Sequence, residues 1–186
     1  MENKVLDKQA VRKEMIKKRL DLDMTSYMSK SNLIIYNLEK LNCFDQAKTI
    51  GVYVSMKQEV NTIEFIKKWC KSKRIVVPKV NGKKMNFYHI YTMNDLEEGN
   101  FGVLEPKSNI LVKPSEIDLL IIPIVAYTNE HHRIGYGGGY YDRYLQDYNG
   151  LKIGIAFSFQ KILDFEIENH DIPLDTIINE NSSTII

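Results

Sequence analysis

A glycine-rich segment, residues 133–145, carries residue types that could bind phosphate. It reads Arg-Ile-Gly-Tyr-Gly-Gly-Gly-Tyr-Tyr-Asp-Arg-Tyr-Leu and holds four of the chain's ten glycines within five residues. Glycine lets backbone N–H groups converge on an anion, because it has no Cβ and adopts positive φ at little cost. A helix predicted directly behind the glycines would add a partial positive charge at the same point. The segment therefore predicts a phosphate-binding loop, with Asp142 as a candidate metal ligand.

This segment matches neither of the two common phosphate-binding patterns. No Gly-Lys-Ser/Thr follows the glycines, so it is not a Walker A loop. Gly135, Gly137 and Gly139 give G-x-G-x-G, but Tyr140 stands where the dinucleotide fingerprint has glycine. A tight turn between a strand and a helix is the alternative interpretation. We favour phosphate binding, because four glycines with charged neighbours exceed what a turn needs.

Length and composition indicate one soluble domain, residues 1–186, with 44% hydrophobic and 26% charged residues. A net charge of +1 argues against a protein that holds nucleic acid by electrostatics. No apolar run approaches the ~20 residues of a membrane span. The charged N-terminus lacks the apolar region of a signal peptide. We therefore expect a cytoplasmic protein with no membrane and no nucleic-acid partner.

Strand-like and helix-like segments alternate along the chain. The predicted helices cover residues 3–20, 25–41, 61–71 and 140–148, and the predicted strands cover 49–54, 74–79, 84–91, 117–123, 151–157 and 174–178. Thr25 or Ser26 is the predicted N-cap of the second helix, and Asn81-Gly82 predicts a hairpin turn. Residues 92–116 are predicted to be irregular. The alternation predicts a single-domain, three-layer α/β/α fold with a largely parallel sheet.

The carboxyl ends of the predicted parallel strands should meet at one edge of the sheet. Ligands of open α/β sheets bind in the crevice at this edge. The strand ends after Val54, Val77 and Ile122 would form this crevice. Segment 55–59 would then face the glycine-rich segment. Two basic residues, Lys8 and Arg12, lie one turn apart on the first helix. By pattern alone, a solvated helix face is their ordinary interpretation.

With these pieces in order, the chain resembles the 5-formyltetrahydrofolate cyclo-ligase family over nearly its full length. The resemblance rests on Lys8-x-x-x-Arg12, Tyr53-Val-Ser-Met-Lys-Gln-Glu59, Phe101-Gly-Val-Leu-Glu-Pro106, Asp118-Leu-Leu-Ile-Ile-Pro123, the 133–145 segment and His170-Asp171. The glycines followed by Tyr-Tyr-Asp-Arg are its most specific element. The resemblance implies a fold of the NagB/RpiA/CoA transferase type and an ATP- and Mg²⁺-dependent closure of 5-formyltetrahydrofolate to 5,10-methenyltetrahydrofolate. We expect the protein to act as a monomer.

The resemblance also implies roles for individual residues. The implied ATP-binding residues are Lys8, Arg12, Arg133, Ile134, Gly135, Tyr136, Gly137, Gly138, Gly139, Tyr140 and Tyr141, and the implied substrate-binding residues are Val54, Met56, Glu59, Phe101 and Tyr140. Arg133 and Asp142 are the implied catalytic residues, Arg133 through a bidentate contact with phosphate. Asp142 and Asp171 are the implied Mg²⁺ ligands. The implied chemistry is transfer of the γ-phosphoryl group to the formyl oxygen, which gives an imino-phosphate.

The chain departs from the common family pattern just before Arg133. The family often has a Gly-x-Ala-Phe-Asp-like run, whereas this chain has Ile124-Val-Ala-Tyr-Thr128 and then His131-His132. Thr128 leaves no acid for a metal or substrate role at that position. The two histidines are predicted to be a loop pair rather than metal ligands, because no third ligand lies nearby.

Two other functions fit parts of the sequence. Sugar-phosphate isomerases and acyl-CoA transferases use similar α/β scaffolds, and fold alone does not separate them. An isomerase needs a base beside its phosphate site, and no residue is a clear candidate. A nucleotide- or RNA-binding module without catalysis is compatible with the basic first helix, but no aromatic–basic RNA motif is present.

Overall fold

The predicted strands assemble into one central sheet in the computed structural model, which describes residues 6–99 and 102–182. The strands are β1 (Thr49–Val52), β2 (Arg74–Asn81), β3 (Lys84–Ile90), β4 (Leu96–Glu98), β5 (Leu104–Pro106), β6 (Leu111–Val112), β7 (Leu119–Pro123), β8 (Ala126–Tyr127), β9 (Arg133–Ile134), β10 (Leu151–Ile155) and β11 (Thr176–Ile178). Seven of them form the central sheet in the order β11-β10-β7-β1-β2-β3-β6. The first five of this order are parallel to one another, and β3 runs antiparallel to both of its neighbours, β2 and β6. The prediction of a largely parallel sheet is therefore confirmed.

Helices cover both faces of this sheet. They are α1 (Lys8–Leu20), α2 (Met24–Glu39), α3 (Asn42–Gln46), α4 (Ile63–Trp69) and α5 (Tyr140–Leu145). Leu119 and Ile121 of β7 belong to a core with α2 and α4, while Leu120 and Ile122 belong to a second core with α5. Successive side chains of a strand point to opposite faces, so β7 is buried on both. The predicted three-layer α/β fold is confirmed.

Two aspartates cap the first two helices. Asp7 accepts from backbone N–H groups of α1, and residues 3–5 of the predicted first helix lie outside the described part of the chain. Asp23 accepts from the N–H of Ser26 at 2.9 Å. The prediction that Thr25 or Ser26 caps α2 is wrong, because the earlier aspartate reaches the free N–H groups of the first turn.

The hairpin predicted at Asn81-Gly82 joins β2 to β3. The predicted strand 74–79 contains Pro78, and β2 continues through it to Asn81. Its pairing with β1 stops at Val76, before the proline. Proline lacks an N–H, so it interrupts pairing on one side while the strand still pairs on the other.

Several segments differ in extent from the prediction. The stretch 92–116, predicted to be irregular, contains the two-stranded ribbon of β4 and β5 as well as β6. α5 ends at Leu145 rather than at Tyr148, so its axial dipole is weaker than a longer helix would supply.

The first helix packs against the part of the chain that leads into the glycine-rich segment. Val11 and Met15 of α1 share a small core with Val125, Ala126 and Ile134. This contact fixes α1 beside the β8–β9 hairpin, directly before the glycines. Among the described residues, no helix combines the length and apolar character needed to cross a membrane.

Candidate active site

A cavity of about 780 Å³ opens at the carboxyl ends of β1, β2 and β7, within the size range of ligand pockets. It brings together every predicted site residue that the structure describes, namely Lys8, Arg12, Val54, Met56, Glu59, Arg133, Ile134, Gly135, Tyr136, Gly137, Gly138, Gly139, Tyr140, Tyr141, Asp142 and Asp171. Phe101 lies outside the described residues. The predicted crevice is thus present, with segment 55–59 and the glycine-rich loop on its walls.

The glycine-rich loop needs glycine at several positions for different reasons. Gly137 and Gly139 have φ of 97° and 63°, in the left-handed region that side chains disfavour. A Cβ on Gly138 would lie 2.7 Å from the ring of Tyr140. A Cβ on Gly135 would meet nothing within 4 Å. Gly135 therefore borders open cavity, where a ligand could approach the backbone closely.

The loop is anchored to the β2–β3 hairpin. The hydroxyl of Tyr140 donates to the carbonyl of Gly82 at 3.2 Å, and Arg143 donates to the carbonyl of Lys83 at 3.1 Å. Arg143 also donates to the carbonyl of Gly138 at 2.8 Å. These bonds tie the loop to the β2–β3 hairpin, which contributes Gly82 to the cavity wall, and fix the direction of the loop backbone.

Arg12 reaches the loop from α1. Its Nε donates to the carbonyl of Gly135 at 2.7 Å, and its guanidinium carbon lies 3.5 Å from where a Cβ on Gly137 would be. The remaining guanidinium nitrogens make no hydrogen bond to any described residue. A positive charge therefore lines the cavity beside the glycine backbone, as an anion-binding site requires.

Lys8 lies one turn earlier on α1 and pairs with two acids. Its Nζ is 2.8 Å from Asp171 Oδ2 and 2.9 Å from Glu168 Oε1. Burial lowers the pKa of Lys8, but the hydrogen bonds to Asp171 and Glu168 outweigh it and raise the pKa above its ordinary value. Burial likewise raises the pKa of Asp171, and the Glu168 N–H and Lys8 outweigh it and lower the pKa. Both groups are therefore held in their charged forms.

Arg133 and Asp142 form a second ion pair in the cavity wall. Arg133 donates to Asp142 Oδ1 at 2.7 Å and to the carbonyl of Ile172 at 2.8 Å. The side chain of Arg133 is only 4% exposed, against 24% for Asp142. Arg133 thus orients the Asp142 carboxylate and the backbone at Ile172. The predicted bidentate contact of Arg133 with phosphate stays a prediction.

The two predicted metal ligands fit a cation that is partly held by phosphate. Asp142 Oδ2 and Asp171 Oδ1 accept no hydrogen bond from the described residues, so each carboxylate keeps one oxygen for a further ligand. No group of three or more His, Cys, Asp or Glu side chains gathers at a metal-binding distance within residues 6–99 and 102–182. Mg²⁺ suits such a sparse site, because it takes few carboxylates and fills its shell with phosphate oxygens and water.

Segment 56–59, which follows β1, makes a strained turn around Glu59. The N–H of Glu59 donates to the carbonyl of Met56, and the N–H of Met56 donates to Glu59 Oε2, both at 2.9 Å. Lys57 and Gln58 have φ of 47° and 52°, which is unfavourable for residues with side chains. The strain places a buried carboxylate, 4% exposed, at the cavity wall.

Glu59 belongs to a buried charge network that the sequence analysis missed. Arg19, 1% exposed, donates to the carbonyl of Lys57 at 3.1 Å and to the hydroxyl of Tyr136. Burial raises the pKa of Glu59, although the Met56 N–H, Arg19 and Tyr136 act in the opposite direction. Burial and the charge of Glu59 together raise the pKa of Tyr136 well above its ordinary value. Arg19 thereby connects the Glu59 turn to the glycine-rich loop.

The sequence contains a pattern which indicates that Arg19 is buried. Val11, Met15 and Arg19 follow one another at i, i+4 and i+8, and all three are buried on α1. A basic residue that continues an apolar stripe indicates a buried charge with partners elsewhere in the fold.

The remaining wall of the cavity is largely apolar. It is lined by Tyr53, Val54, Pro78, Val80, Met85, Val103, Leu104 and Pro123. Tyr141 is partly buried and also lines the cavity, and burial raises its pKa well above the ordinary value. One half of the cavity thus offers cations and glycine backbone, and the other offers apolar surface with the carboxylates of Glu59 and Glu105.

The residues that depart from the family pattern lie in the β8–β9 hairpin. The N–H of Thr128 donates to the carbonyl of His132 at 3.0 Å, and His131 has φ of 63° in the turn. The histidines are therefore a loop pair, as predicted. Thr128 Oγ1 and His132 Nδ1 are buried without a hydrogen-bond partner in the described part of the chain. Neither residue is among the described residues that line the cavity.

Known proteins share both the sequence pattern and this architecture. The sequence profile of the 5-formyltetrahydrofolate cyclo-ligase family matches residues 4–180. The 5-formyltetrahydrofolate cyclo-ligase of Mycoplasma pneumoniae is 34% identical over 183 residues, which cover 94% of this chain and 99% of that protein. The Escherichia coli K12 enzyme of that name is 30% identical over 71% of this chain and 78% of its own. The NMR structure of Aquifex aeolicus 5,10-methenyltetrahydrofolate synthetase superposes with a TM-score of 0.86 at 34% identity, covering 94% of this chain and 90% of that one.

Proposed function

The chain belongs to the 5-formyltetrahydrofolate cyclo-ligase family, and we propose that it closes 5-formyltetrahydrofolate to 5,10-methenyltetrahydrofolate at the expense of ATP, releasing ADP and phosphate. The observation that carries this proposal is the division of one cavity into two halves. A cationic, glycine-lined half and an apolar half with Glu59 adjoin each other. A phosphorylated nucleotide and a folate could therefore meet in a single cavity.

The chemistry explains why ATP is needed. The formyl carbon of a formamide is a poor electrophile, and its oxygen is a poor leaving group. Transfer of the γ-phosphoryl group to the formyl oxygen, with release of ADP, converts that oxygen into a phosphate ester of an iminium-like carbon. N10 then attacks this carbon, N10 loses its proton, and the C–O bond breaks to release phosphate. The protein's part is positioning and charge neutralisation.

The nucleotide half is suited to the triphosphate. The backbone of 135–139 would surround the phosphates, with Gly135 giving closest approach. Arg12 supplies a guanidinium beside that backbone. Lys8 keeps its positive charge through its two acidic partners, so it can contact a phosphate oxygen without losing its place.

Asp142 and Asp171 would hold Mg²⁺ through the carboxylate oxygens that their ion pairs leave unused. The ion would neutralise charge on the transferring phosphate. Arg133 fixes the orientation of Asp142 from behind, and Lys8 does the same for Asp171. These two cations therefore act as supports for the metal ligands.

The apolar half would take the folate rings. Val54 and Met56 offer apolar contact, and Tyr140 offers an aromatic face at the border with the nucleotide half. Glu59 would accept a single N–H of the pteridine ring through the oxygen that the Met56 N–H leaves free. Phe101, the remaining candidate, lies outside the described residues.

A direct assay tests the proposal. Purified protein is mixed with 5-formyltetrahydrofolate, ATP and Mg²⁺, and the methenyl product is followed by its near-ultraviolet absorbance. We expect product only when all three are present. ATP binding without product would favour a non-catalytic nucleotide-binding module, and product formation without ATP would contradict the mechanism. The monomeric state, the cytoplasmic location and the single domain over 1–186 stay predictions.

A further inference from the structure

Glu105 differs from every other carboxylate of the cavity among the described residues. It lies on β5, is 9% exposed, and lines the cavity. The other carboxylates that line it are Glu59, Asp142, Glu168 and Asp171, and each accepts a hydrogen bond from a protein group. Glu105 makes no side-chain hydrogen bond and no ion pair with any described residue. The Glu105 oxygens are not fully enclosed by protein, so the carboxylate is open to the cavity and accessible to a ligand.

The ribbon of β4 and β5 is shaped to hold this side chain. A Cβ on Gly99 would lie 2.6 Å from Cγ, Cδ and Oε2 of Glu105. Any other residue at 99 would push the carboxyl group away. The N–H of Gly99 donates to the carbonyl of Val103 at 2.8 Å, which keeps the ribbon closed at this point. The absence of a side chain at 99 thus preserves the place of the Glu105 carboxylate.

Stability alone does not favour Glu105. Glu97 is its cross-strand partner in the ribbon, and like charges directly opposite each other destabilise a strand pair. The nearby cation, Lys79, donates instead to the carbonyl of Pro106 at 3.0 Å. A residue that breaks local rules of stability in a binding cavity is typical of a functional site.

We propose that Glu105 is a substrate-binding residue that accepts two hydrogen bonds from adjacent N–H groups of the pteridine ring. The inference rests on the proposed function. A carboxylate repels the phosphates of ATP and the carboxylates of the folate tail. The reduced pteridine presents the 2-amino group and N3–H side by side, which matches two free carboxylate oxygens. Glu59 has one oxygen occupied by Met56, so it is less suited to this paired contact.

Glu105→Gln tests the inference, with Glu97→Gln as the matched control. The first change keeps the size of the side chain and removes one acceptor oxygen and the charge. We expect its KM for 5-formyltetrahydrofolate to rise about tenfold or more, with the KM for ATP within about twofold and the melting temperature unchanged or higher. Glu97→Gln removes the opposing charge at an exposed position and should leave both KM values unchanged.

The possible outcomes separate this inference from the proposed function. A wild-type folate KM in Glu105→Gln, in an active enzyme, overturns the role of Glu105 and leaves the function standing. A rise confined to the ATP KM also overturns it, since Glu105 would then bind the adenine amino group. A lower melting temperature without a KM change would assign Glu105 a structural role only. Calorimetry with wild-type protein and 5-formyltetrahydrofolate tests the proposed function itself. Absence of binding there would contradict both the proposed function and the role of Glu105.

Discussion

Arg133 donates to Oδ1 of Asp142 at 2.7 Å, while the carboxylate remains 24% exposed toward the cavity. The guanidinium itself is almost completely buried and also holds the carbonyl of Ile172. The arginine therefore fixes one oxygen and directs the other outward. A carboxylate held in this way is pre-oriented for a cation, and in the proposed function the oxygen that Arg133 does not use would bind the metal.

Asp142→Asn should keep the fold and lose most activity. The amide oxygen can still accept from Arg133, so the ion pair is replaced by a hydrogen bond, but the negative charge for Mg²⁺ is gone. We expect kcat to fall about 100-fold or more and the Mg²⁺ concentration for half-maximal rate to rise. Asp147→Asn, an exposed acid just after the same helix, is the control. Wild-type turnover in Asp142→Asn would refute the metal role.

Gly135→Ala should separate stability from nucleotide binding. The φ of Gly135 is outside the left-handed region, and an added Cβ meets no protein atom within 4 Å. Alanine restricts the unfolded chain, so the free energy of unfolding should stay the same or rise by up to about 1 kcal/mol. The KM for ATP should rise several-fold, because the Cβ would occupy space where the proposed triphosphate approaches the loop backbone. Thermal melts and ATP titrations check this, and an unchanged ATP KM would place the phosphates elsewhere.

The glycine-rich loop shows why part of the site could be predicted from sequence. Gly137 and Gly139 are required by local backbone geometry, and a local requirement leaves a compact motif in the chain. The order of strand ends then places this motif beside segment 55–59. Lys8 and Arg12 needed the family resemblance, because basic residues on a helix face are usually solvated.

Arg19 and Glu105 show why the rest could not be predicted. Arg19 acts through Lys57 and Tyr136, which are far from it in sequence, and its partners appear only when the chain is folded. Glu105 lies in a stretch predicted to be irregular. The β4–β5 ribbon forms there, and each of its strands pairs through only three residues. Strands that short carry too little periodicity to be recognised from sequence.

Lys8→Met should weaken the protein in a pH-dependent way. The pKa of Asp171 is below its ordinary 3.8, so this group contributes stability above pH 3.8 that is lost as the pH falls through its folded-state pKa. Removing Lys8 raises that pKa and should lower the free energy of unfolding at pH 7 by about 1 kcal/mol. Urea unfolding should show this difference shrinking below pH 3.8. Lys18→Met, an exposed residue of the same helix, is the control and should show little change at either pH.

Tyr136→Phe should change the pH dependence of folate binding. The Tyr136 hydroxyl and Arg19 oppose the burial that raises the pKa of Glu59. Without the hydroxyl the pKa of Glu59 rises further, so Glu59 becomes protonated at a higher pH. In the pH profile of the folate KM, the acidic limb, where the KM rises as the pH falls, should therefore move to higher pH. Tyr91→Phe, at an exposed position, should leave this limb in place. An unmoved limb in Tyr136→Phe would show that Glu59 does not control binding through its charge.

Thr128→Val should stabilise the protein, in contrast to the same substitution at Thr62. Thr128 is 1% exposed, and its hydroxyl has no partner among the described residues. Replacing an unpaired buried hydroxyl with a methyl group should raise the free energy of unfolding by about 1 kcal/mol. The hydroxyl of Thr62 instead donates to the carbonyl of Tyr53 at 2.7 Å and accepts from the N–H of Ser55 at 3.0 Å. Thr62→Val should therefore cost about 1–3 kcal/mol. Urea unfolding of both variants gives the comparison, and a loss in Thr128→Val equal to that in Thr62→Val would mean that the Thr128 hydroxyl has a partner, such as a buried water.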